Sequence, residues 1–83
     1  MTTKEIEVQI ALGTLSIEDK VDLADNKRTT KKILTILSTD KSWYVRCRVA
    51  CNPNTPIDVL KKLSTDEDEY VHWYVAGNPN YYK

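Results

Sequence analysis

The chain says nearly the same thing twice at a spacing of 26 residues. Residues 34–54 read LTILSTDKSWYVRCRVACNPN and residues 60–80 read LKKLSTDEDEYVHWYVAGNPN. A fixed period of this size marks a stack of short units, none of which can bury its apolar face alone. Stacks of this kind build extended binding surfaces in preference to enclosed catalytic pockets. A weaker copy lies upstream, with Leu23-Ala24 beneath Val49-Ala50, Asn26 beneath Asn52 and Thr29 beneath Thr55. Further back the match fades until only Val8 and Ala11 fall beneath Leu34 and Leu37. The expected organisation is one domain: a degenerate capping copy over 1–28, a copy over 29–54 and a copy over 55–83.

Each unit reads as two short helices with punctuated ends. Thr55-Pro56-Ile57-Asp58 is a helix start, with Thr55 expected as N-cap and Pro56 at the first helical position. Val59, Leu60 and Leu63 follow at helical spacing. Ser64-Thr65-Asp66 ends that helix, and Asp66 is expected to cap the next, with acids in its first turn where the helix dipole favours them. Val71 and Val75 form a buried stripe, and Gly77 and Asn78-Pro79 close the unit. The middle copy repeats this grammar, and Thr2/Glu5 and Ser16/Asp19 offer capping boxes in the first. Ile6, Val8, Ile10 and Leu12 alternate as a strand would, but a lone strand in a helical chain has no partner. The expected fold is therefore all-α: a short right-handed superhelix, an α-solenoid, of about three helix pairs, some short enough to be 3₁₀.

Written out, the unit V-R-x-x-V-A-x-N-P-x-T-P-x-x-x-L-x-x-L-x-x-D is carried by Val45, Arg46, Val49, Ala50, Asn52, Pro53, Thr55, Pro56, Leu60, Leu63 and Asp66. It resembles the leucine-rich repeat variant family from about Leu34 to Asn80. The resemblance implies a right-handed superhelix of alternating α and 3₁₀ helices, in the style of HEAT and armadillo arrays, and it implies no activity. Some members carry an iron–sulfur cluster on a cysteine-rich segment. This chain has no such segment, and no cofactor is expected.

No glycine-rich phosphate loop, nucleophile–base ordering or paired metal motif occurs in the sequence, so the chain is expected not to be an enzyme. Cys47 and Cys51 are read as small apolar side chains on one helix, since two thiolates lack the further ligands zinc requires. His72 replaces Arg46 of the previous copy at a variable position expected to be exposed. The run Asp66–Glu69 is read as helix capping and solvation. Apolar runs are too short to span a bilayer, and the N-terminus is charged where a secretory signal would be apolar; a cytoplasmic protein without a membrane partner is expected.

Residues that change between copies are free to serve a surface. Lys41, Trp43, Arg46, Cys47 and Arg48 become Glu67, Glu69, His72, Trp73 and Tyr74. Net charge is +0, yet residues 1–26 hold two cations and six acids, whereas residues 27–48 hold seven cations and one acid. Two functional readings follow. In the first, a protein partner, or a second molecule of this chain forming a homodimer, docks on Trp43, Arg46, Arg48, His72, Trp73, Tyr74 and the C-terminal Tyr81 and Tyr82, aromatic and arginine side chains of the kind that anchor interfaces. In the alternative, Lys27, Arg28, Lys31, Lys32 and Lys41 grip an anionic partner such as nucleic acid. The acidic flanks and a pI near 6.6 weigh against the latter. The C-terminal copy stops at Tyr81-Tyr82-Lys83, where a Thr-Pro helix would begin. Either these tyrosines fold back over the end of the stack or that end meets another molecule.

Overall fold

The computed structural model describes residues 2–82. Six α-helices follow one another: α1 (Thr3–Leu12), α2 (Ile17–Asp25), α3 (Lys31–Leu37), α4 (Trp43–Cys51), α5 (Ile57–Leu63) and α6 (Glu69–Ala76), ending in a 3₁₀ turn at Pro79–Tyr82. No strand occurs among the described residues, so the alternating stretch in α1 is helical. Its Ile6 and Ile10, one turn apart, rest against the core while Val8 and Leu12 face solvent. Val8 and Ala11 thus do not play the parts of buried Leu34 and Leu37, and the repeat register is lost in α1.

Helix ends obey the 26-residue period. Ser16, Ser42 and Asp68 are the N-caps of α2, α4 and α6, and Thr30 and Pro56 those of α3 and α5. Ser38 and Ser64 close α3 and α5. In α1 and α2 the hydroxyls of Thr2 and Ser16 accept from the amides of Glu5 and Asp19. Two expected caps are displaced. Thr55 is not the N-cap of α5; its hydroxyl donates backward to the Val49 carbonyl at 2.7 Å, as Thr29 does to Leu23 at 2.6 Å. Asp66 lies two residues before the N-cap Asp68, accepting its amide at 2.9 Å, as Asp40 accepts that of Ser42.

The core runs through all three copies. Ala24, Ile33, Leu34, Leu37, Val45, Cys47, Val49, Ala50, Val59, Leu60, Leu63, Val71 and Val75 are buried, with Val21, Leu23 and Tyr81 half-buried against them. Helix α4 packs between α2 and α6, and α3 meets α1, α2 and α4. The assembly measures 32 × 22 × 17 Å. No helix of the described residues is long and apolar enough to cross a membrane.

Candidate interaction surface

Each copy is joined to the one before by the same polar set. The Asn52 amide donates to the carbonyls of Ala24 and Asn26 at 2.8 and 2.9 Å, and Asn78 donates to those of Ala50 and Asn52 at 2.8 and 3.0 Å. Both asparagines are buried, and each also accepts from the amide two residues on, which turns the chain at Asn-Pro-Asn. Buried main-chain carbonyls at the ends of α2 and α4 are thereby satisfied by the following copy. A cation forms the second joint. Lys20 Nζ meets Asp40 Oδ1 at 2.7 Å, and 26 residues on Arg46 Nε meets Asp66 Oδ2 at 2.9 Å. Arg46 Nη1 further donates to the Asp40 and Lys41 carbonyls.

This corrects one expectation. Arg46 is 9% exposed, its guanidinium held by four hydrogen bonds, two to the Asp66 carboxylate and two to the Asp40 and Lys41 carbonyls, and is not an external anchor. Its counterpart His72 is exposed. The neighbouring positions behave alike. Cys47 is 1% exposed and Ala50 fully buried, whereas their counterparts Trp73 (71% exposed) and Ala76 face solvent. Trp73, Glu69, Tyr70 and His72 line a shallow concavity of about 500 Å³ on α6. Tyr81 turns back onto the core and is half-buried, leaving the α6 face uncovered; the side chain of Tyr82 lies outside the described residues.

A second aromatic group crosses from α4 to α6. Trp43 meets Tyr44 edge-on and Tyr70 in a tilted contact, each with centroids 5.7 Å apart, and the Arg48 guanidinium lies 5.5 Å from the Tyr44 ring. Arg48 Nε also stands 3.0 Å from Asp25 Oδ1, an ion contact without hydrogen-bond alignment. Burial disfavours the charged guanidinium, but Asp25, Tyr44 and Cys51 together outweigh it and raise the Arg48 pKa. Tyr74 lies beside Trp73, centroids 6.4 Å apart. Tyr44 and Tyr70 are surface residues that the comparison between copies passes over, since they are identical and were assigned to the fold. The usable signal was position: each directly precedes a buried valine and so lies off the Val45/Val49 and Val71/Val75 stripes.

The basic residues do not form one open patch. Lys32 pairs with Glu7 at 3.2 Å and Lys31 donates to Asn54, while Lys41 follows the far end of α3 from Lys27, Arg28 and Lys31. An open groove of about 810 Å³ lies between α1 and α3, bordered by the Lys32–Glu7 pair. Both cysteines are free. Burial, helped by the charge of Asp68, pushes the Cys47 thiol up to about 11, and burial raises Cys51 against the opposing charge of Arg48. Among the described residues no cluster of three His, Cys, Asp or Glu side chains could hold a metal ion. No family model, curated protein or solved structure matches this chain.

Proposed function

We propose that this protein is a non-catalytic helical-repeat module, a short superhelix of the leucine-rich repeat variant kind, that binds another protein through the face of α6. One observation carries the reading: His72, Trp73 and Ala76 are open to solvent at positions which the two earlier copies keep covered by the copy that follows. An exposed tryptophan flanked by tyrosine and histidine is costly to leave in water and is the residue type that dominates interface energies. The Trp43–Tyr44–Tyr70 group continues this aromatic surface onto α4. The experiment is affinity capture from the source cell with the natural chain and with Trp73→Ser, both checked for equal helicity. At least one protein should be retained by the first and lost from the second. Identical captured sets, or none, would remove the reading.

A further inference from the structure

The chain displays twice, in its own interior, what covers the face that α6 leaves open. Lys20, Val21 and Ala24 of the first copy are covered by the second; Arg46, Cys47 and Ala50 of the second are covered by the third. Both coverings use the same two polar residues, a carboxylate and an amide twelve positions apart: Asp40 with Asn52, then Asp66 with Asn78. The carboxylate takes the cation, and the amide takes the carbonyls of the alanine and the asparagine at the end of the preceding unit. On α6 the exposed counterparts are His72 for the carboxylate, Ala76 with its carbonyl for the amide, and Trp73 for apolar cover, whereas Asn78 is buried and its carbonyl already accepts the Tyr81 amide.

We propose, on the reading that α6 is an interface, that its partner is a helix-bearing segment of another protein that carries an Asp and an Asn twelve positions apart, the Asp pairing with His72 and the Asn amide donating to the Ala76 carbonyl. A second molecule of this chain does not supply that chemistry. At the corresponding places its own first copy has Thr14 where Asp40 and Asp66 stand, and exposed Asp19 where Val45 and Val71 are buried. Only Asn26 matches. Burying Asp19 against Trp73 would strand a charge in an apolar contact, so the first copy of a second molecule is a poor cover for α6.

The test supplies the covering unit in place. Tyr81, Tyr82 and Lys83 are replaced by a further copy of residues 55–80, with serine at its tryptophan position and Trp43→Phe, so that Trp73 alone emits. Acrylamide quenching of Trp73 should fall several-fold relative to the unextended chain. Adding His72→Glu, which sets acid against acid, should restore most of the quenching. A Trp73 as accessible in the extended chain as before, or a cover indifferent to His72→Glu, would overturn the proposal. Failure is separable from failure of the interaction reading. A protein captured only when Trp73 is present, alongside an extended chain that leaves Trp73 open, keeps the interface and discards the Asp/Asn partner; a covered Trp73 with no Trp73-dependent capture removes the interface and the partner with it.

Discussion

Asn52 and Asn78 each satisfy two carbonyls of the preceding copy while shaping their own turn, so one side chain links local and long-range structure. Asn52→Asp keeps size and acceptor but removes the amide donor from the buried Ala24 carbonyl and from that of Asn26, which keeps the Thr29 amide, and it sets a carboxylate against both. A buried carbonyl left without a donor costs about 1–3 kcal/mol, more when a charge faces it, a large share of the stability of a small domain. Urea unfolding should therefore show a loss of several kcal/mol for Asn52→Asp, with little change for the exposed Asn26→Asp. The asparagines were legible as turn residues, because Asn-Pro reads as a stop. Their reach across 26 and 28 residues was not, because a side-chain amide aimed at another copy leaves no local pattern. Arg46 was misjudged for a related reason. Its replacement by His72 suggests a free surface position, whereas Arg46 itself is buried against Asp66 of the next copy.

Cys47 offers a residue-level test of burial. Its thiol titrates at about 11 in the folded chain, against 9.0 for the ordinary thiol. A group whose folded pKa is raised binds its proton more tightly when folded, so its contribution is complete below pH 9 and is lost as pH rises toward 11. The urea midpoint should fall more steeply between those values in the natural chain than in Cys47→Ala, where this proton is absent. Equal slopes would mean the thiol is not held in an apolar site.

Among the elements, α1 is the weakest and α4 the strongest. Helix α1 has no buried residue and meets the core through Ile6 and Ile10 alone, while α4 buries Val45, Arg46, Cys47, Val49 and Ala50 between two neighbours. Local opening costs little where few apolar contacts are lost. Native-state hydrogen exchange should find α1 amides exchanging fastest and α4 amides protected nearly to the global unfolding limit. Uniform protection across the helices would contradict this ordering. Helix identities were readable from the spacing of Val59, Leu60 and Leu63 and of Val71 and Val75. The helix starts were misread by one or two residues because Thr55 and Asp66 have cap chemistry but direct it elsewhere, Thr55 to Val49 and Asp66 to Arg46 and the Asp68 amide. In α1, the fading of the repeat concealed which face turned inward.

At the scale of the molecule the two ends of the row α2–α4–α6 differ in kind. The first copy carries Glu18, Asp19 and Asp22 on exposed positions of α2, and the last presents Trp73 and Tyr70 on α6. An end bearing charge at a core position resists adding another unit, as inward-facing charges protect the edges of sheets. Converting that end should therefore convert the oligomeric state. Thr14→Asp restores the carboxylate found at Asp40 and Asp66, and Asp19→Val restores the apolar residue found at Val45 and Val71, with Asn26 already in place. Both side chains are exposed; Thr14→Asp gives up the hydroxyl bond to the Gln9 carbonyl but keeps that of the Thr14 main-chain amide, and Asp19→Val leaves Glu18 as the acid in the first turn of α2, so circular dichroism should show the double variant folded. Sedimentation velocity should show the double variant growing head to tail with concentration under conditions where the natural chain does not, because a contact between unlike surfaces continues instead of closing. Adding His72→Glu to the double variant should dissolve these chains, since the new carboxylate at position 14 would then face an acid. Growth that ignores His72 would place the contact elsewhere, and absence of growth would mean that the equivalence of α6 with the covered faces of α2 and α4 does not extend between molecules.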